Sequence, residues 1–454
     1  MLPARPVVMI VPFENRSRDT ADAYLGEALT EDLAGALSAT HAVRVVGPGS
    51  PLRATRVVRG SVARVREVVY VSVRIEQAGT GEVRWTRRFE RPSSEAQVLH
   101  DSLIDQVAAA LGLAPTPGAR PPMTDPATYD LWLRAHHLVP RRRQEDEAEA
   151  AALLGRALAR DSTFAPAWAD LARVLRWARR FGFTVPGIPT DSLLPRMLDA
   201  SERALLLDST NVDTWRLRAS IANVVDPTSW SVGLTALRRA LALDSMDAQT
   251  WDEYALALEE SGAGDSAAAA WRHAVALDPH RPYGMYALHW LWAGRYDSAA
   301  AWAEHGVAED PTLMFLREGV GEVALAQGQL AKAGAAYEAA LRLGTGPEQV
   351  RALCGLSIVA TGLGDAARAR TLLARAEAVT DSTAPTLHAA VSIAEAYAAL
   401  GAPDRALTWL GRYQPRGDLH FQLHLARDPM LDGLRSDPRF RQLVDSTRPP
   451  AEPR

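Results

Sequence analysis

Two histidines, His420 and His424, stand four residues apart. On a helix that spacing puts both rings on one face, where they could share a metal ion. No glutamate lies between them and no third ligand is evident, so solvated or packing histidines are the plainer reading and no metal is expected. His136 and His137 are adjacent and point apart on a helix, one toward the surface and one toward the core. Lys332 is the only lysine and lies in a repeat helix. The lysines that a P-loop, a protein kinase strand or a pyridoxal Schiff base would need are therefore missing from the right context. Cys354 stands alone, which excludes an intramolecular disulfide and a cysteine-based zinc site and suits a small buried apolar residue. No acid/base pair or nucleophile arrangement rises above chance, so a non-enzymatic protein without a cofactor is expected.

The remaining candidates point to binding. Glu253, Glu259 and Glu260 form an acidic stretch, and Arg173, Arg176, Arg179 and Arg180 a basic one. Either could line a groove that recognises peptide termini, although a solvated helix face explains both. Trp168, Trp215 and Trp251 each follow a repeat-end aspartate by seven residues, a shared slot that favours packing over a stacking platform. Asn15, Arg16 and Ser17 follow an apolar strand, where α/β folds often hold ligands. They form a candidate ligand loop set against a simple helix-capping reading.

Composition limits the partners. The 454 residues are too many for one core, and the net charge of −4 gives no basic excess for nucleic acid. No run approaches the ~20 apolar residues that span a bilayer, and the first thirteen residues lack a signal-peptide pattern. As written, the chain reads as cytoplasmic, or periplasmic if its true start lies upstream.

Two patterns organise the chain. Near the amino terminus, Val7 to Val11 reads as a buried strand, and Tyr24, Leu25, Leu29, Leu33 and Leu37 mark one side of a helix over 21–38. Val43 to Val46 reads as a second strand. Val69, Val71, Val73 and Ile75 alternate with polar residues, turn at Gly79-Thr80-Gly81 and return through Val83, Trp85 and Phe89 as a hairpin. A helix over 98–111 closes this unit. Residues 112–125 are proline-rich and read as a linker.

Beyond it the sequence repeats. Asp161, Asp208, Asp244, Asp278, Asp310 and Gly344 end similar helical tails at steps of 47, 36, 34, 32 and 34 residues. Gly264, Gly294, Gly328, Gly364 and Gly401 fall near turns, and Ala267, Ala299, Ala333, Ala369 and Ala406 fill a small slot after them. A period near 34 is the tetratricopeptide spacing, and residues 126–445 resemble that family as about eight helix pairs with a carboxyl-terminal cap. Residues 446–454 read as a disordered tail. The family implies a superhelix whose first helices line a concave protein-binding face. Gln249, Asp252, Leu256, Glu259, Arg173, Arg176 and Arg216 are the groove residues expected there.

The amino-terminal residues carry a second resemblance. Val11-Pro12-Phe13-Glu14-Asn15-Arg16-Ser17, the run from Tyr24 to Leu33, Arg59-Gly60-Ser61-Val62 and Thr80 to Trp85 together resemble the TolB amino-terminal-like (FlgO-like) domain over residues 1–111. That family usually has a further helix before the Gly-Ser-Val strand. Only residues 50–58 are available here, so one sheet face is expected to be less covered. The fold expected is therefore multidomain, with an amino-terminal α/β sandwich (mixed sheet with two helices) and an all-α tetratricopeptide superhelix, an α-solenoid. The function implied is a protein-interaction scaffold in bacterial signalling or an envelope-related assembly. Two alternatives stand beside it: the regulatory portion of a serine/threonine kinase or cyclase whose catalytic domain is absent from this chain, and a small-ligand sensor acting through the amino-terminal domain.

Overall fold

A computed structural model of the chain describes residues 5–19, 22–48, 53–114, 121–139, 144–181, 184–225, 230–281, 283–380, 385–413 and 419–447. Part of the expected linker (115–120), most of the expected tail (448–454) and the side chains of Arg180 and His420 lie outside the described residues. By contacts the chain divides into two compact units. One comprises Met1–Val225 with Thr235–Thr250, the other Asp226–Leu234 with Trp251–Arg454.

The first unit begins with a mixed sheet. Its strands are β1 (Val7–Ile10), β2 (Glu14–Asn15), β3 (Arg44–Val46), β4 (Arg56–Val65), β5 (Val68–Gln77) and β6 (Val83–Pro92), in the order β3-β1-β4-β5-β6 with β2 beside β4. β1 runs parallel to β3 and β4, while β4, β5 and β6 form an antiparallel meander. The alternation read along β5 fixes which face is inside: Val69, Val71, Val73 and Ile75 are buried, and Ser72 and Arg74 are exposed. Helices α1 (Ala23–Ser38) and α2 (Ala96–Ala110) cover the buried face with Leu25, Leu29, Leu33, Leu103 and Val107. The opposite face of the meander carries Arg59, Ser72, Arg74 and Arg88, with the Arg88 guanidinium 5.1 Å from the centre of the Tyr70 ring. The residues immediately ahead of the Gly-Ser-Val segment are strand, since β4 already begins at Arg56. Two glycines let Phe13 pack: a Cβ on Gly60 would stand 2.6 Å from the Phe13 ring, and one on Gly26 2.6 Å from its carbonyl oxygen.

The same unit continues into helices α3 (Pro126–His136), α4 (Gln144–Arg160), α5 (Ala165–Phe181), α6 (Leu193–Leu207) and α7 (Val212–Val225). α3 packs directly on α1 and α2, and one apolar core runs from Val8 in β1 through Trp132 and Leu154 to Ile221.

The second unit contains the helix hairpins α9–α10 (Ala248–Glu260 and Gly264–Leu277), α11–α12 (Gly284–Trp292 and Tyr296–Glu309) and α13–α14 (Met314–Ala326 and Leu330–Leu341). α15–α16 (Val350–Gly362 and Ala366–Ala378) and α17–α18 (Leu387–Ala399 and Pro403–Arg412) continue the series. α8 (Ser231–Leu243), which belongs to the first unit from Thr235 onward, precedes α9, and α19 (Leu419–Arg427), a 3₁₀ segment (Pro429–Leu434) and α20 (Pro438–Thr447) follow. These are tetratricopeptide-type hairpins, and their punctuation is chemical. After each first helix a glycine takes positive φ: Gly262 (86°), Gly294 (70°), Gly328 (71°), Gly364 (80°) and Gly401 (72°). The next amide then closes back onto the helix, as from Arg295 to the Trp290 carbonyl (2.8 Å). In the first of these hairpins the turn glycine is Gly262, and Gly264 instead opens α10. The repeat-end aspartates cap the following turn: Asp161, Asp208, Asp244 and Asp310 each accept the amide two residues on at 2.9 Å. The small slot is filled as expected, with Ala267, Ala299, Ala333, Ala369 and Ala406 all fully buried. Tyr337 is wedged against Gly321 and Gly355, where a Cβ would come within 2.6 and 2.3 Å of its ring. Among the described residues no helix is long and apolar enough to cross a membrane.

Candidate functional site

Stacking the hairpins of the second unit places their first helices on one face. Trp292 of α11, Glu322 of α13, Arg351 of α15, and His388 and Glu395 of α17 line a common narrow cleft, closed on another side by His424 and Asp428. Helix α19, which follows the last hairpin, thus lies against the first helices. The His424 ring meets Trp292 edge-on at 5.3 Å and His388 at 6.4 Å. Arg427 reaches Glu259 of α9 at 2.9 Å across 168 positions of sequence.

The cleft is electrostatically loaded. Glu322 pairs with Arg351. Burial pushes the Glu322 carboxyl above its usual range although Arg351 opposes the shift. Burial, Asp428 and Glu322 together push Glu395 well up. Burial also acts on Asp428, but the His424 ring at 3.1 Å holds its carboxylate below the usual range. Glu318, one turn before Glu322 on α13, is pushed up by burial to about 7.

The groove residues expected from sequence are largely engaged inside the chain. The Glu259 carboxylate is 1% exposed and accepts from His289 at 2.6 Å as well as from Arg427. Asp252 accepts the Trp271 indole N–H (2.9 Å) and pairs with Arg281 (3.3 Å). Gln249 and Leu256 are half-buried on the same helix. Arg216 pairs with Asp213 (2.9 Å) beside Asp247. Arg176 lies over the Trp177 ring at 4.8 Å. Trp168 and Trp215 are half-buried and donate their indole N–H to the backbone carbonyls of Ser162 and Ser209, both at 2.9 Å.

Arg173 belongs to a polar chain in the first unit that joins the sheet to the first hairpins. It pairs with Asp170 at 2.8 Å. Asp170 also accepts from the Trp132 indole (2.8 Å) and from His136 (2.7 Å), and His136 faces Asp32 of α1 at 3.6 Å. Asp32 in turn lies 3.2 Å from His100, whose other ring nitrogen meets the Tyr129 hydroxyl at 2.7 Å. Burial disfavours charge on His136, yet Asp170 and Asp32 hold its pKa well above the usual histidine value. Asp170 and Asp32 are correspondingly held below theirs against the effect of burial, chiefly by His136 and His100 respectively. His137 is buried, with its ring 5.8 Å from that of Tyr24. Cys354 is buried, as its isolation suggested, and burial raises its thiol pKa.

The amino-terminal loop residues are used to turn the chain. Asn15 pairs with Val62 in the sheet and its side chain accepts the Ser17 amide at 3.0 Å. The Ser17 hydroxyl accepts the Arg64 amide at 2.9 Å, and Arg16 pairs with Glu14 at 2.8 Å.

No family model matches the chain. Over 192 residues it is 26% identical to "Putative adenylate cyclase 3" of Rhizobium meliloti (strain 1021), a match covering 38% of this chain and 33% of that protein. The chain thus spans about a third of the length of the curated relative it matches. Among solved structures it is similar to PilW, a type IV pilus biogenesis factor, at 18% identity and a TM-score of 0.37, covering 46% of this chain and 92% of that one. It is similar to yeast Tom70 at 16% identity and a TM-score of 0.43, covering 70% and 68%. A tetratricopeptide protein of Thermus thermophilus is 18% identical with a TM-score of 0.37, over 44% of this chain and all of that one.

Proposed function

We propose that the chain is a protein-interaction scaffold whose repeats, residues 126–445, grip helical peptide segments on the face formed by their first helices. The observation that carries this reading is the contact the repeats make with their own α19. One arginine of that helix pairs with a buried glutamate of α9, and one histidine sits between Trp292 and His388. This is helix-in-groove recognition by a charged anchor and an aromatic slot, enacted in cis. The partner implied is an amphipathic helix with a basic residue placed to reach Glu259.

A labelled peptide of residues 419–435 tests it by fluorescence anisotropy. In the wild-type chain the tethered helix competes at millimolar effective concentration, so no binding is expected up to ~100 μM peptide. In an Arg427→Glu chain the tethered helix is repelled by Glu259, and the wild-type peptide should bind in its place. Equal behaviour of the two chains sinks the reading.

For residues 1–111 we propose a TolB amino-terminal-like domain. In support, Gly26 and Gly60, both within the resembling segments, close on Phe13, which lies in a third. A bacterial signalling or envelope-related setting follows from that resemblance.

The second reading, the regulatory portion of a cyclase, is favoured by the match to the Rhizobium protein. An antibody against this chain that detects, in the native host, a polypeptide much larger than 49.2 kDa would favour it. A band at that mass counts against it.

A further inference from the structure

We propose that Glu395, His424 and Asp428 form a site for a divalent transition-metal ion of the zinc class, which fastens α19 to α17. One donor atom from each residue lies within 4.8 Å of the other two. Zinc bonds of 2.0–2.2 Å set tetrahedral ligand atoms about 3.3 Å apart, so closure around an ion needs adjustments of at most roughly 1.5 Å.

The three residues come from different places, and each is held. Glu395 projects from the middle of α17, between the buried Ala394 and Ala396. His424 is 5% exposed on α19, packed against the Trp292 ring. Asp428 caps the 3₁₀ segment, with one carboxylate oxygen on the Met430 amide (2.9 Å) and the other on His424 (3.1 Å). A ligand fixed through its second oxygen is the support that metal carboxylates ordinarily receive.

The chemistry of the set selects the ion. One imidazole nitrogen and two carboxylate oxygens suit zinc, manganese, cobalt or ferrous iron, whereas calcium and magnesium favour all-oxygen shells. Glu395 and Asp428 line the cleft on one side of His424, and Arg351, the guanidinium in the same lining, is paired with Glu322 and not with them.

The test is calorimetric titration of the chelator-stripped full-length chain with zinc chloride, with hydrogen exchange of residues 419–427 as a second readout. One equivalent should bind, and exchange in α19 should slow. Glu395→Gln keeps the shape and the hydrogen bond to Asp428 while removing a ligand. It should weaken zinc at least ~10–100-fold, the range seen even for outer-shell partners of metal ligands. His424→Gln should do the same, and provides the comparison if Glu395→Gln fails to fold. His280→Ala, at a separate histidine–glutamate pair, should bind zinc as the wild type does. Absence of a stoichiometric site in the wild type overturns the proposal, as does undiminished binding in both ligand variants. Run in the presence of chelator, the peptide experiment above tests the docking of α19 separately from the metal.

Discussion

Asp170 carries the junction between the sheet and the first hairpins, and Asp170→Asn measures how much. The carboxylate is 2% exposed and receives three donors, from Trp132, His136 and Arg173, at 2.7–2.8 Å. Hydrogen bonds to a charged group contribute ~1.5–3 kcal/mol each, but they share one acceptor and do not add. Asparagine keeps one acceptor oxygen and turns an N–H₂ toward a donor, leaving His136 and Arg173 without their anion. Breaking a buried pair from one side costs ~3–5 kcal/mol, and Arg173 and His136 retain partial solvent access, so about 3 kcal/mol is expected. The assay is urea denaturation followed by tryptophan fluorescence, because Trp132 itself reports the site.

The pH dependence supplies the sign. His136 has a raised folded pKa, so its contribution is complete below ~6.5, the unfolded value, and is lost as pH rises through the folded value. Asp32 and Asp170 have depressed folded values, so theirs is complete above ~3.9 and is lost as pH falls through those lower values. The penalty of Asp170→Asn should therefore be largest between about pH 4 and 6.5 and shrink at alkaline pH. A penalty under about 1 kcal/mol at pH 6, or one that grows with pH, refutes the assignment of this chain of groups as the junction.

Two further substitutions test the repeat packing. Gly355→Ala drives a methyl to within 2.3 Å of the Tyr337 ring, and overpacking of this kind costs ~1–3 kcal/mol, visible as a lower thermal midpoint by circular dichroism. Trp271→Ala empties a fully buried site beside Tyr286 and strips Asp252 of its indole donor. A loss of ~3–5 kcal/mol in chemical denaturation is expected, and a value below ~1 kcal/mol would mean that this aromatic cluster is not core.

Local features of this chain were legible because their causes are local. The β5 alternation names its buried face without reference to any partner. Aspartates at the repeat ends bind amides two residues away, and glycines supply a backbone conformation that other residues resist. The small-alanine slot recurs because each hairpin meets its neighbour in the same way. Even the Gly262–Gly264 displacement is a local matter, since both lie in one turn and only the φ angle separates their roles.

The candidate sites were not legible in the same sense. His424 drew notice through its spacing to His420, yet the groups beside it are Asp428, four residues on, and Glu395, a full hairpin earlier. His136 looked like an ordinary helix residue until stacking laid it on Asp170, 34 positions away, and on Asp32 of a different domain type. The acidic stretch at Glu253–Glu260 read as a solvated helix face or a groove lining, but Arg427 of α19 returns to pair with the buried Glu259. Sequence by itself determined the repeat, its turns and the buried face of β5, because those follow from backbone geometry and hydrophobic period over a few residues. Only the tertiary structure decided which charged groups are buried together. Pairing across 34 to 168 positions depends on how helices stack and where the chain returns, and no local spacing encodes that.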